Sequence, residues 1–144
     1  MNPCVHPRCG DVYLATFTGY GSVQTGYRPV LVFQNNEGNS HSQTIIVLPF
    51  TSSLKKKDMP THVVIRKDDV SFLTKDSMIL CENPTHLDKR ALGNYIGHLS
   101  DRDMRRVAVG FLNATGALDY LDFDSLKAVY LTSKRLNNNR TDNK

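Results

Sequence analysis

The sequence predicts a mainly β domain, a small antiparallel barrel followed by one amphipathic helix. Many short apolar segments of strand length occupy the first two thirds of the 144 residues. The clearest helical pattern comes only after them, and strands and helices do not alternate along the chain. Because a parallel sheet needs a crossover between its strands, this order favours an antiparallel sheet over a Rossmann-type sheet.

Six segments have the pattern of strands. Asp11–Phe17 alternates between apolar and polar residues and is bounded by glycines. Pro29–Gln34 is densely apolar, with its proline at the first position, where no ladder hydrogen bond is lost. Thr44–Leu48 is rich in β-branched residues and is closed by Pro49. The remaining predicted strands are Thr61–Ile65, Ser77–Cys81 and Tyr95–His98.

The segments between these strands carry residues typical of turns. Residues 18–27 hold three glycines and predict a polar loop. Residues 35–43 predict a long turn, because asparagine and glycine tolerate a positive φ. We expect a loop or a short helix at residues 51–60 and a short helix at Leu87–Leu92.

One later segment has the pattern of an amphipathic helix. Ser100 is a suitable N-cap, and apolar residues then recur at helical spacing. They predict a helix at Asp101–Asn113, with Val107 and Phe111 packed against the barrel and Gly116 as the stop.

The character of the chain changes after this helix, which divides it into three parts. Residues 1–116 form the predicted barrel domain, and residues 117–136 form a helical extension with Phe123, Leu126 and Tyr130 at roughly helical spacing. Residues 137–144 are polar and rich in asparagine, so they are expected to be a disordered tail.

Composition limits the class of protein. Apolar residues make up 40% of the chain and the formal net charge is +4, which is compatible with a globular protein that has an anionic partner. The sequence contains neither a bilayer-spanning apolar run nor the apolar core of a signal peptide. Three cysteines, an odd number, fit a reducing compartment better than a disulfide framework. We therefore expect a cytoplasmic protein.

Arg28 is the first candidate functional residue. It lies where the glycine-rich loop meets the apolar strand that begins at Pro29. A guanidinium at the mouth of a flexible polar loop is a natural partner for a phosphate. The structural alternative, an exposed cation beside a turn, is about equally probable from the residues alone.

A set of segments gives the chain a resemblance to a known family. They are, in order, RCGDVYLATF, GSVQTGYRPVLVFQN, TIIVLPFTSSL, MPTHVVI, KDSMILCEN, LDKRAL and IGHLSDRDM, and they span roughly residues 8–115. In this order and spacing the chain resembles the MazF/PemK toxins of type II toxin–antitoxin systems, also called mRNA interferases.

The resemblance implies a fold, an activity and partners. The fold would be an SH3-like barrel of the CcdB/MazF type, working as a homodimer. The activity would be sequence-specific cleavage of single-stranded RNA that needs neither a metal nor another cofactor. The partner would be a small MazE-like antitoxin. The family's catalytic arginine and threonine correspond to Arg28 and Thr51.

Five further residues are candidates for RNA binding. Ser22 and Gln24 lie in the glycine-rich loop, which is either an ordinary flexible loop or a lid that contacts the bases of a single strand. Asn35 and Ser53 are weaker candidates for the same groove. Glu82, at the end of a predicted strand, either accepts a hydrogen bond from a base or is merely solvated.

Two departures from the family pattern leave alternatives open. Residues 83–88 read Asn-Pro-Thr-His-Leu-Asp, without the arginine that relatives carry there, and the chain continues beyond Gly116. A gyrase-targeting protein of the CcdB kind, or a relative that binds RNA without cleaving it, would fit the same fold.

Overall fold

The computed structural model describes residues 6–17 and 26–141, and the side chains of residues 17, 26 and 135–141 lie outside the description. The chain divides into two compact units, Met1–Ala114 and Thr115–Lys144. Ser22 and Gln24 lie between the two described ranges and so fall outside the described residues. Among the residues that are described, no helix has the length and apolarity needed to cross a membrane.

The first unit is built on an antiparallel sheet. Its strands are β1 (Asp11–Phe17), β2 (Gly26–Val32), β3 (Thr44–Thr51), β4 (His62–Ile65), β5 (Ser77–Leu80), β6 (Thr85–Asp88) and β7 (Leu92–His98). They pair in the order β4-β5-β3-β2-β1-β7, and β6 pairs with β3. The fold class predicted from the sequence is confirmed, although the path of paired strands has two ends and the barrel is not closed.

Strand β3 is shared between two groups of strands. Its first residues, Thr44–Val47, pair with β6, while Phe50 and Thr51 pair with Ile79 and Met78 of β5. On its other edge, β3 pairs with β2 from Val47 to Pro49. Along this edge, β3 therefore changes its partner from β6 at its start to β5 at its end.

The prediction that Pro49 closes the third strand is wrong, and the hydrogen-bond pattern explains why. Phe33 N–H donates to the carbonyl oxygen of Ile46 at 3.0 Å, and antiparallel partners exchange such bonds at alternate residues. By this alternation the nitrogen of Pro49 faces away from β2, toward the gap between β6 and β5. A missing N–H costs no ladder hydrogen bond at that gap.

The second proline also lies inside a strand. Pro29 is the fourth residue of β2 rather than its first, and it pairs with Leu14 of β1. By the same alternation, its nitrogen faces the carbonyl of Phe50, to which it has no hydrogen to donate. The pairing of β2 with β3 accordingly ends at Val30 and Pro49, one residue before Pro29 and Phe50 would pair.

Alternating side chains of the strands supply two apolar clusters. The larger cluster holds Val12, Leu31, Leu48, Phe50, Val63, Ile65, Ile79, Cys81, Leu99 and Val107. The other holds Tyr13, Ala15, Val30, Val32, Ile45, Val47 and Leu92. Neighbouring residues such as Val12 and Tyr13 belong to different clusters because successive side chains of a strand point to opposite faces.

Two short helical segments differ from the prediction. Residues Asn36–His41 form helix α1 instead of a long turn, because the side chain of Asn35 caps it by accepting a hydrogen bond from Gly38 N at 2.8 Å. The short helix predicted at Leu87–Leu92 is replaced by the end of β6, a 3-10 turn at Lys89–Ala91 and the start of β7. The side chain of Asp88 accepts a hydrogen bond from Arg90 N and starts that turn.

Helix α2 covers the larger cluster, as the sequence predicts. It spans Asp101–Ala114, its Val107 is fully buried, and Phe111 packs against the cluster with its ring 5.2 Å from that of Phe33. At Gly110 an added Cβ would lie 2.9 Å from Cys81 Sγ, so glycine lets the helix approach the sheet closely.

The second unit consists of helices α3 (Ala117–Tyr120) and α4 (Phe123–Thr141). Asp122 caps α4 by accepting a hydrogen bond from Ser125 N at 2.8 Å. Helix α4 continues past residue 137, where the sequence predicted a disordered tail to begin, and the structure does not describe residues 142–144. Apolar residues on it, including Phe123 and Tyr130, are exposed.

Replacing Phe111 by alanine should destabilise the protein. The change removes a ring packed on the core and leaves a cavity, so we expect a loss of about 3 kcal/mol in the free energy of unfolding. Urea unfolding followed by circular dichroism measures it. Tyr120→Ala, at a side chain that is 88% exposed, serves as the control and should change stability by less than about 0.5 kcal/mol. Equal effects of the two changes would contradict the packing.

Candidate active site

A groove of about 650 Å³ opens beside the end of the β2–β3 ladder. Strands β2 and β3 provide one side of it, and the segment that leads into β5 provides the other. The lining residues are Leu14, Tyr27, Arg28, Pro29, Phe50, Thr51, Ser52, Ser53, Phe72, Leu73, Thr74, Lys75, Ser77 and Ile96. The groove therefore contains three of the residues singled out in the sequence, Arg28, Thr51 and Ser53.

The charged residues of the groove have one sign. Arg28 and Lys75 are its cations, five Ser and Thr residues add hydroxyl groups, and its described lining includes no carboxylate. Cations and hydroxyl donors without a competing carboxylate suit an anion such as a phosphodiester.

A second cavity of the same unit has a different character. It measures about 690 Å³, and its cations are balanced by an equal number of aspartates. The cations are Lys57, Arg66, Arg102 and Arg106, and the aspartates are Asp58, Asp69, Asp76 and Asp103. Arg106 is already paired with Asp103 at 2.9 Å. Balanced and paired charges give this cavity little attraction for an anion, so size alone does not distinguish the groove.

Arg28 is held in the middle of the sheet. It pairs with Ala15 of β1, and its strand lies between β1 and β3. Extending the β2–β3 register by two residues places Arg28 opposite Thr51, and residues opposite each other have neighbouring side chains. Arg28 Nη1 donates to the carbonyl oxygen of Phe50 at 3.5 Å. That is the carbonyl to which Pro29 cannot donate.

Thr51 ends strand β3 and is buried. Its Oγ1 accepts a hydrogen bond from Ser53 N at 3.2 Å, which fixes the hydroxyl at the turn that follows the strand. This bond gives Thr51 a structural role at the end of the strand. The same bond also holds the hydroxyl at the groove, beside the strand that carries Arg28.

Two aromatic residues of the groove lie over glycines of β7. A Cβ added at Gly97 would be 2.2 Å from Cδ1 of Phe72, and one added at Gly93 would be 2.9 Å from the hydroxyl oxygen of Tyr27. Real side-chain carbons do not approach this closely, so each ring occupies space that only glycine leaves. Strand β7 thereby fixes where both rings lie.

The other candidates that the structure describes lie apart from the groove lining. Asn35 caps α1, as described above. Glu82 accepts from His62 Nε2 at 2.7 Å, and His62 Nδ1 lies 2.8 Å from the carbonyl oxygen of Lys56. Both side chains thus have structural partners. The altered segment at residues 83–88 contains the whole of β6, which pairs with the start of β3, away from Arg28.

Several lining residues were missed in the sequence. Tyr27 adjoins Arg28, and Thr74, Lys75 and Ser77 fall in or beside the matching segment KDSMILCEN, so proximity to family motifs could have drawn attention to them. Phe72 gives no local signal, because its place in the groove depends on a glycine 25 positions later in the chain.

The described cysteines lie outside the groove lining. Burial, and to a smaller extent the nearby carboxylate of Glu82, raise the pKa of the Cys81 thiol to about 12. Burial and the nearby Asp11 also raise the pKa of Cys9. Cys81 is fully buried, and Cys4 lies outside the described residues. A protonated, buried thiol is not a nucleophile.

Comparison with known proteins identifies the family. The model of the PemK-like, MazF-like toxins of type II toxin–antitoxin systems matches residues 8–113. The chain belongs to this family. The resemblance stated from the sequence segments is therefore confirmed, and the match covers the whole groove.

Individual relatives agree with this assignment. The chain of this MazF-like toxin is 46% identical over 101 residues to the endoribonuclease MazF of Staphylococcus saprophyticus, covering 69% of this chain and 83% of that one. It is also similar to a mycobacterial endoribonuclease solved in complex with its cognate antitoxin, with a TM-score of 0.63, 25% identity, and coverage of 76% of this chain and 95% of that one.

A MazF structure from Deinococcus radiodurans shares the fold of this toxin. The TM-score is 0.65 at 22% identity, with coverage of 82% of this chain and all of that one. At this identity the likeness concerns the fold alone.

The thiol of Cys81 should resist modification in the folded toxin. With a pKa of about 12, it stays protonated at mildly alkaline pH, and burial keeps reagents away. We expect mass mapping to find Cys81 unmodified after treatment of native protein with an aromatic disulfide, and modified when concentrated urea is present. Rapid modification of Cys81 in native protein would argue against its burial beneath α2.

Proposed function

We propose that this toxin is a sequence-specific endoribonuclease that cleaves single-stranded RNA without a metal ion. The observation that carries the proposal is the groove, whose described lining includes both Arg28 and Thr51 and has cations but no carboxylate. The 46% identity to an endoribonuclease supports the same activity.

The reaction needs little from the protein because RNA supplies its own nucleophile. The 2′-oxygen attacks the adjacent phosphorus, the bond from phosphorus to the 5′-oxygen breaks, and the products are a 2′,3′-cyclic phosphate and a 5′-hydroxyl. One proton leaves the 2′-hydroxyl and one joins the departing 5′-oxygen. The site must position the phosphate, stabilise added negative charge and assist these proton transfers.

Arg28 supplies the charge in this scheme. Its guanidinium stays protonated and can donate two parallel hydrogen bonds to the phosphate oxygens, so it acts as an electrostatic stabiliser rather than a base. The bond to the Phe50 carbonyl and the central position of β2 hold it in place, which limits the reorganisation that binding requires.

Thr51 supplies a hydroxyl in this scheme. Held by Ser53 N at the end of β3, it donates a hydrogen bond to a phosphate oxygen or to the leaving 5′-oxygen. Ser53 lines the same groove and is a further candidate for RNA contact. Ser22 and Gln24 remain candidates from the sequence, on the loop that precedes β2.

The partners follow from the family and from the charge of the groove. A MazE-like antitoxin with an acidic segment would fit the same cations as RNA and so block the site. A homodimer, expected for the family, would complete the RNA groove. We place the protein in the cytoplasm with its mRNA substrate. We assign activity to residues 1–116 and treat residues 117–136 as an added helical extension.

Loss of Arg28 should abolish most of the cleavage. We expect Arg28→Ala and Thr51→Ala each to lower the cleavage rate by at least about 100-fold, because each removes a donor to the transition state. The assay follows a mixed-sequence RNA in the presence of EDTA and maps the new ends by sequencing. Arg105→Ala, which removes an exposed arginine outside the groove, is the control and should cleave normally. Cleavage by the Arg28→Ala protein at the wild-type rate would refute the mechanism.

The toxin should be a dimer in solution. Light scattering on the purified full chain is expected to give twice the chain mass of 16.2 kDa. The exposed apolar side chains of Ile46 and Tyr95 on the sheet offer surface for such contact. A mass of a single chain at micromolar concentration would rule out the proposed dimer as the working form.

A further inference from the structure

We propose that Tyr27 is a stacking platform for an unpaired base of the substrate, next to the phosphate bound by Arg28. This inference rests on the proposed cleavage of single-stranded RNA and adds a substrate-binding residue to it. The ligand is a nucleobase, which has a flat aromatic face whatever its identity.

Exposure is the first observation. Tyr27 is 59% exposed although it lies within a paired strand and lines the groove. The two ring pairs found among the described residues are Tyr13 with Tyr95 and Phe33 with Phe111, and neither includes Tyr27. A large aromatic surface left open to water beside a bound anion is the arrangement by which proteins hold single-stranded nucleic acid.

Position is the second observation. Tyr27 and Arg28 are consecutive, so their Cα atoms are about 3.8 Å apart. In a nucleotide the phosphate and the base are joined through one sugar, and a phosphate on Arg28 therefore brings a neighbouring base within reach of Tyr27. In a duplex that base would be stacked on its neighbours and unable to turn toward the ring. The pair thus favours a single strand.

Support from the backbone is the third observation. Tyr27 pairs with Thr16 of β1, and its hydroxyl end lies over Gly93 of β7. A side chain at position 93 would occupy that space. Glycine at position 93 therefore leaves room for the hydroxyl end of Tyr27 to lie against β7, a contact that reduces the side-chain freedom lost on stacking.

Phe72 extends the same apolar surface. Its ring is half-buried over Gly97, packs against the larger core cluster and lines the groove. The groove therefore has an exposed ring and a fixed apolar wall, together with the cations Arg28 and Lys75. Alternating aromatic and basic contacts match the alternation of base and phosphate along a nucleic acid strand.

Tryptophan fluorescence gives a direct test, because the chain contains no tryptophan. Tyr27→Trp introduces a single reporter at the proposed platform. The probe is a mixed-sequence RNA with 2′-O-methyl groups, which binds but has no free 2′-hydroxyl to react. We expect the probe to quench and shift the emission of the Tyr27→Trp protein. Tyr120→Trp, at an exposed tyrosine of the second unit, is the matched control and should not respond.

Affinity for the same probe provides the second measurement. Tyr27→Ala should bind about 5- to 100-fold more weakly, the range for loss of one base stack. Tyr27→Phe keeps the ring and should bind within about 2-fold of wild type, whereas Tyr27→Leu keeps apolar bulk without a ring and should resemble alanine. If the ring had a merely structural role, the substitutions would lower the melting temperature, and the folded variants would bind the probe with wild-type affinity.

Cleavage kinetics separate this inference from the proposed function. Tyr27→Ala should raise KM for an RNA that contains the mapped site far more than it lowers kcat. If wild-type protein cleaves RNA while Tyr27→Ala binds the probe normally and Tyr27→Trp shows no response, the stacking role is wrong and the nuclease stands. If Tyr27→Ala instead alters dimer formation or antitoxin binding alone, Tyr27 is a protein contact and the inference is overturned. If wild-type protein neither binds nor cleaves RNA, the proposed function is wrong, and the stacking role is wrong with it.

Discussion

The hydrogen-bonded pairing of β2 with β3 ends beside Pro29 and at Pro49, and the groove begins at that end. Pro29 cannot donate to Phe50, so this carbonyl accepts from the Arg28 guanidinium instead. Pro49 falls where β3 changes partners from β6 to β5, so the strand continues to Thr51. A regular ladder would have kept the two strands paired through these residues. The observed pairing instead ends at Val30 and Pro49, and Arg28 and Thr51, which lie just beyond that end, both line the groove.

Charge then gives this opening its chemical character. Two cavities of the first unit are similar in volume, about 650 and 690 Å³, yet the described lining of one holds cations without carboxylates, whereas the other balances cations with aspartates. In the balanced cavity Arg106 already has a carboxylate partner and a backbone acceptor, the carbonyl oxygen of Val64. An anionic ligand would have to compete with those partners, whereas the described lining of the groove holds no carboxylate.

Local sequence signals predicted part of this structure. The alternation of Asp11–Phe17 gave β1 its bounds, and the apolar spacing after Ser100 gave α2 with its buried face, because both signals reflect burial of one side of a single element. The continuation of β3 through Pro49 could not be read locally, since it depends on which strands lie alongside. Likewise β6 is recognised only through its pairing with β3. Arg28 was a candidate from its place beside the glycine-rich loop and Thr51 from the family resemblance, whereas the place of Phe72 in the groove required the position of β7.

Strand β7 carries none of the groups that the proposed reaction uses, yet its two glycines set the shape of the aromatic wall. A methyl group at position 97 would occupy the place of the Phe72 ring, and one at position 93 would press on the end of Tyr27. Under the proposed function, substrate preference can therefore change through substitutions on a neighbouring strand while every residue that lines the groove stays the same. Comparing paralogues by their groove residues alone would miss that source of divergence, and the backbone beneath the rings has to be read with them.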